Sequence, residues 1–375
     1  MAALPEQNDR PKTVLIFGAG ASYSAGIPLQ ADLIPQILKS GDLQLRKSEA
    51  AKRIRNFLAS NFPNTKQYPS LEEVFGFLEF FISNEYSLSK NEMPSDLRNL
   101  RTDLIKVIHY LISRGTERSV DFTAFWNVIA NRSAKVGVIT TNYDTAIDEA
   151  FDDIFPDCLI DYCLDFVNYR SPEAGDPFNW WIDPKKPTDI NGDNRVTRIK
   201  ILKLHGSLNW KYCTTCGQVV LTPWQHGLDL KLDTFESFFD SKIQFCKFDQ
   251  TRLQSLLQPP SHFKTTTNHV FNRLYDEAAF MIGNANHLIF VGYSFPEADV
   301  HIRALVKRCF SKDGTITVIN KSRAKDLRHR YEGLARNVNY HEYTFERFLK
   351  SGLFESLLSA NQSLHSDAAA SGSAG

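Results

Sequence analysis

Thr13-Val-Leu-Ile-Phe17-Gly18-Ala19-Gly20-Ala21-Ser22 joins five apolar or β-branched residues to a glycine-rich turn, and a helical pattern follows from about Ala21 to Lys39. A short unbroken run of that kind fits a strand buried on both faces, as in a parallel sheet covered by helices. Four further runs read the same way: Val136 to Thr140, Ile199 to Leu204, His287 to Val291 and Thr315 to Ile319, each followed by a glycine or a polar residue. Strands alternating with helical stretches predict right-handed βαβ units. The fold class is therefore α/β, a Rossmann-like parallel sheet with helices on both faces.

About a hundred residues separate the first two strands, far more than one crossover helix needs. Leu71 to Ile82 and Leu97 to Ser113 space their apolar residues three and four apart, so residues 41–134 are expected to form an inserted helical module. The aromatic residues within 75–81 could line a partner surface, but packing is the simpler reading. Residues 152–198, with several prolines and Trp180-Trp181, read as a long structured loop. Residues 211–263 read as a small degenerate cysteine module within the sheet domain, which would comprise 13–40 and 135–345. A C-terminal helix is expected over 346–359. Residues 1–12, polar with Pro5 and Pro11, and the low-complexity residues 360–375 read as a disordered lead and tail.

The 43 Lys plus Arg balance 43 Asp plus Glu, which leaves no overall field for a nucleic-acid backbone or an anionic membrane. No apolar run approaches bilayer length and the start lacks a secretory segment, so a cytoplasmic protein is expected, with no direct nucleic-acid or membrane partner. Six cysteines in 375 residues do not make a disulfide framework. They default to free thiols or metal ligands.

Polar clusters follow each predicted strand. The Gly18–Ser22 turn would let backbone approach a phosphate at a helix start, although the dinucleotide fingerprint is broken where Tyr23 replaces its third glycine. Thr141-Asn142-Tyr143-Asp144 can be a helix cap or part of a site. His205-Gly-Ser207 can hold a general base or a structural histidine. Gly292-Tyr-Ser294 and Asn320-Lys-Ser322 complete the set. All five lie past carboxyl ends of parallel strands, where open α/β sheets bind ligands, so one convergent site is the economical account. Cys213-Thr-Thr-Cys216 has the turn form of a zinc knuckle without a second cysteine pair; Cys246, His226 and His262 are conceivable partners. Reduced thiols are the reading preferred over structural zinc at Cys213 and Cys216.

Taken in order, Gly18-Ala-Gly-Ala-Ser22 with Gly26-Ile-Pro28, Thr141-Asn142-Tyr-Asp144, Lys203-Leu-His205-Gly-Ser207 followed by Cys-x-x-Cys, Gly292-Tyr-Ser294 and Asn320 resemble the sirtuin (silent information regulator) superfamily. More narrowly, the chain is similar to divergent sirtuin-like effectors of prokaryotic anti-phage defence, which degrade NAD. The resemblance implies that Gly18 to Ser22, with Ala19 and Ala21 among them, hold the NAD phosphates with Thr141 nearby. It implies that Asn142 and Asp144 lie beside the nicotinamide ribose and that His205 is the catalytic histidine. Gly292 and Ser294 would meet the phosphate or adenosine ribose, and Asn320 a ribose hydroxyl.

Departures from deacylases point the same way. Leu29-Gln30-Ala31 stands where they carry Asp-Phe-Arg, and Gln258-Pro-Pro-Ser-His262-Phe has prolines where a peptide would pair as a strand. The expected activity is NAD glycohydrolysis to nicotinamide and ADP-ribose, with NAD as substrate and no required metal. A regulated effector of that kind would work as a homo-oligomer or with a defence-system partner. An NAD-dependent protein deacylase and a non-catalytic sensor of NAD or ADP-ribose are the alternatives.

Overall fold

The computed structural model describes residues 11–359 except 40, 64–66, 91, 116–118, 133–134, 157, 167–197, 223–227, 230–233, 236–244, 259–268 and 323. Most of the expected 1–12 lead, the 360–375 tail, Trp180-Trp181, His226 and Pro259 to His262 fall outside them.

Seven parallel strands form the central sheet: β1 (Thr13–Phe17), β2 (Val136–Thr140), β3 (Leu159–Asp161), β4 (Arg198–Lys203), β10 (His287–Val291), β11 (Thr315–Ile319) and β12 (Asn337–His341). Their order across the sheet is β12-β11-β10-β1-β2-β4-β3. The chain winds outward in both directions from β1, the doubly wound arrangement expected from the alternating runs. β1, β2 and β10 are buried along their whole length, which explains their lack of polar alternation.

Both faces carry helices. On one, the Phe17 ring packs edge-on against Phe122 and Phe125 of α7 (Val120–Arg132) and against Phe345. On the other, Gly137, in register with Val14, leaves room for Met281: a Cβ at Gly137 would lie 2.5 Å from its sulfur.

Between β1 and β2 the chain is helical, as the spacing predicted: α1 (Ala19–Ser22), α2 (Gln30–Lys39), α3 (Leu43–Lys47), α4 (Glu49–Asn61), α5 (Leu71–Ser83), α6 (Pro94–Gly115) and α7. The start of α5 is set by a capping box, in which Ser70 Oγ accepts from the Glu73 amide (3.1 Å) and Glu73 accepts from the Ser70 amide (2.6 Å). Phe75 and Leu78 on this helix are buried, whereas Phe80 is 44% exposed beside Phe81 and Tyr86. Packing therefore accounts for part of the aromatic run and not for Phe80.

Three expectations need correction. The helix over Ala21 to Lys39 is interrupted, because Gly26 takes a left-handed φ of 73° and α2 starts only at Gln30. β3 and β12 were not anticipated: β3 is three residues long, and the edge strand Asn337–His341 has exposed asparagines instead of an apolar run. The helix over 346–359 is two, Phe345–Lys350 and a second over 353–359, parted at Gly352 with φ 73°.

Beyond β4 the chain forms a small antiparallel sheet of β5 (Gly206–Tyr212), β6 (Val219–Leu221) and β9 (Gln254–Leu257), with β7 (Leu228–Asp229) paired to β8 (Thr234–Phe235) in the connection. Among the described residues, no helix is long and apolar enough to cross a membrane.

Candidate active site

The registers align Phe17 with Thr140 and Val291, Thr140 with Lys203, and Val291 with Ile319. The predicted clusters that follow β1, β2, β4, β10 and β11 thus share one carboxyl edge. Short contacts join them.

The glycine loop is held by its neighbour in the sheet. The Gly18 amide donates to Val291 (3.0 Å) and the Gly20 amide to Gly292 (2.9 Å). A Cβ on Gly18 would lie 2.6 Å from Tyr293 Cα, and one on Gly292, at φ 62°, 2.3 Å from the Ala21 amide nitrogen. These glycines serve backbone-on-backbone packing first. Ala19 and Gly20 remain exposed at the rim, whereas Ala21 is buried.

Asn142 locks the other side of the loop, its Nδ2 donating to the Gly18 carbonyl (3.0 Å) and to Ser22 Oγ (2.9 Å). Ser22 is fully buried and also hydrogen-bonds the Asp144 carboxylate. Its hydroxyl is thus enclosed between Asn142 and Asp144, whereas the loop is exposed at Ala19 and Gly20. Thr141 donates its amide to the Phe17 carbonyl (3.0 Å) and tethers β2 to β1 beyond their last pair. Burial raises the Asp144 carboxyl above the usual carboxylate range, opposed by the Lys203 ammonium and the Ala146 amide.

Lys203 was absent from the expected site residues. It is completely buried at the end of β4, where its Nζ donates to the Asp144 carbonyl (2.5 Å) and Asp148 Oδ2 (2.7 Å). Tyr162 donates to the other Asp148 oxygen (2.7 Å). A lysine at the end of an apolar strand was the available signal, since such a group must find a buried anion.

His205, 5% exposed, lies over Tyr143 with ring centroids 6.2 Å apart. Its Nε2 is 3.4 Å from His301 Nε2 and 3.4 Å from Asp299 Oδ1. Asp299, also buried, accepts from Tyr293 through Oδ2 (2.8 Å). Asn320 donates to the Tyr293 carbonyl (3.2 Å), which ties the β11 end to the same group. The Ser294 side chain is exposed, and its carbonyl accepts from Arg330 (3.2 Å). Asp299 and His301 were also missed as site residues; Asp299 closes a 3₁₀ turn and His301 lies in the first turn of the helix Val300–Cys309, far from His205 in sequence.

Cys246, one of the conceivable partners, joins Cys213 and Cys216, with Asp249 as the fourth residue in place of a second cysteine pair. Cys213, Cys216, Cys246 and Asp249 bring one ligand atom each to within 4.8 Å of all the others. Cys246-Lys-Phe-Asp249 repeats the spacing of Cys213-Thr-Thr-Cys216, with a carboxylate in the last place. That repeat was the overlooked signal. Burial and the adjacent sulfurs push the Cys216 thiol up to about 12, while the Thr251 amide holds Asp249 down at about 2. Three thiols and a carboxylate crowded like this suit a divalent cation that would neutralise them, and three sulfurs with one oxygen fit tetrahedral zinc.

A family model for the SIR2-like domain matches residues 136–341, more than half of the 375-residue chain. The chain belongs to the SIR2-like family. The match begins at β2, so the glycine loop of this SIR2-like protein lies outside it. Similar solved structures include a Sir2 homologue in complex with NAD, at 12% identity over 92% of this chain and 88% of that one, with a TM-score of 0.45. Another is Sir2Tm bound to a propionylated peptide, at 14% identity over 93% and 94% of the two chains, with a TM-score of 0.43. No curated protein shows significant sequence similarity to it.

Proposed function

We infer that the protein hydrolyses NAD to nicotinamide and ADP-ribose. The observation that carries this reading is the joining of Asn142 and His205 at one sheet edge, through the glycine loop on one side and Tyr143 on the other. Cleaving the nicotinamide bond builds positive charge on the ribose, so a site gains most from fixed dipoles and acceptors around that sugar. Asn142 is held by two donated hydrogen bonds, which fix the direction of its remaining acceptor. His205 would accept the proton of the attacking water as the new C–O bond forms and nicotinamide leaves. Asp299 beside it would favour the resulting imidazolium. The exposed backbone of Ala19 and Gly20 is where the phosphates would approach.

An unrestrained NAD hydrolase would harm its own cell. The role we propose is therefore an anti-phage effector released by a partner protein or a change of oligomeric state. Purified protein incubated with NAD, alone and with the product of each neighbouring gene, should release nicotinamide. His205→Ala should lower the rate at least about 100-fold. No release under any condition, or full release by His205→Ala, would refute the reading. Release that depends on an acylated peptide would instead identify a deacylase, and tight NAD binding without turnover a sensor.

Zinc on Cys213, Cys216, Cys246 and Asp249 belongs to the same reading, as a clasp closing the β5–β6–β9 module. Elemental analysis after gel filtration should find zinc retained by the native chain and lost from Cys246→Ser. Equal zinc in both would remove the clasp.

A further inference from the structure

The contacts of His205 with Asp299 and His301 are long for hydrogen bonds, which cluster near 2.7–3.0 Å. Both equal 3.4 Å. That is about the edge of a tetrahedron whose centre lies 2.0–2.1 Å from imidazole nitrogen or carboxylate oxygen, the bond lengths of a zinc-type ion. One ligand atom from each of the three residues lies within 4.8 Å of the other two.

We propose that His205, Asp299 and His301 form a second, exchangeable metal site for a divalent transition ion of the zinc type. Two imidazoles and one carboxylate suit such ions better than magnesium or calcium, which prefer all-oxygen shells. The site carries one negative charge when both histidines are neutral. His205 and Asp299 are 5% and 4% exposed, so a divalent cation would compensate a carboxylate shielded from water. A supporting shell is present too: Tyr293 donates to Oδ2 of Asp299, and it is Oδ1 that faces His205. Tyr275, whose ring meets His301 edge-on at 5.4 Å, gives its hydroxyl hydrogen to Gln258 Oε1 (2.7 Å) and does not compete as a donor.

With three protein ligands the fourth position stays open, and the ion should exchange more readily than one in a four-ligand cysteine cluster. With a metal on its Nε2, His205 could not take the proton of the attacking water at that nitrogen. The metal's effect on hydrolysis would be reversible inhibition. This last consequence rests on the proposed function; metal binding does not.

The test uses the full chain, dialysed against a weak chelator and titrated with Co2+. Wild type should bind one exchangeable Co2+ per chain, with the intense visible d–d absorption of a tetrahedral N/O site and without a thiolate charge-transfer band. His301→Ala should weaken that binding at least 100-fold, and His301→Gln provides the check should the alanine variant lose its native circular dichroism. Cys246→Ser should leave the d–d signal in place. Absence of the signal from wild type, or its persistence in a folded His301 variant, would overturn the site. In a second arm, added Zn2+ should suppress nicotinamide release by wild type. If the chain releases no nicotinamide, the hydrolysis reading fails while the cobalt arm still decides the site.

Discussion

Replacing Lys203 by methionine is expected to cost about 3–5 kcal/mol of folding stability, because it leaves a buried carboxylate without its cation. Lys203 and Asp148 both have side chains with 0% exposure and meet at 2.7 Å. Methionine fills the stem of lysine but cannot answer Asp148, whose other oxygen accepts from the neutral Tyr162 hydroxyl. It also gives up the 2.5 Å bond to the Asp144 carbonyl. Against a total stability of about 5–15 kcal/mol, that loss should lower the urea midpoint severely and reduce soluble yield. The double variant Lys203→Met with Asp148→Asn should recover part of it, since the neutral amide still accepts from Tyr162 and the charge at position 148 is gone, while Asp144 still lacks the Lys203 ammonium. A Lys203→Met chain within about 0.5 kcal/mol of wild type would show that the pair is solvated or dispensable.

β1, β2 and β10 were legible because they are buried along their whole length and the centre of the sheet admits no polar alternation there. β12 was not, because an edge strand answers to solvent on one side and Asn337 and Asn339 leave its pattern polar. The break at Gly26 depended on a left-handed turn, a local choice that hydrophobic periodicity does not register. At the site, position along the chain revealed the polar clusters, since each follows a strand end and the parallel register brings strand ends together. Their individual jobs were less visible. Ser22 carries the composition of a phosphate loop, yet it is buried between Asn142 and Asp144. Asp299 and His301 reach His205 only through the packing of a helix, which no spacing in the sequence encodes.

Asn142→Ala is expected to lower the turnover number for NAD cleavage by about 10²–10³, the range seen when one fixed dipolar group at a developing charge is removed. Two effects must be separated. Removing Nδ2 leaves the Gly18 carbonyl and the Ser22 hydroxyl short of a donor in a buried place, which should cost about 1–3 kcal/mol and loosen the glycine loop. That part weakens NAD binding and appears as a raised KM, which saturating NAD overcomes. The second effect is loss of the Asn142 acceptor at the ribose, which persists at saturation and appears in kcat. Asn142→Asp divides them further: it keeps an acceptor of the same shape but sets a carboxylate against the Gly18 carbonyl, so loop stability should fall even where turnover partly survives. Saturation kinetics in a folded Asn142→Ala chain therefore decide the assignment. A kcat within about threefold of wild type would leave Asn142 a brace for the glycine loop and move the ribose chemistry to His205 and its neighbours.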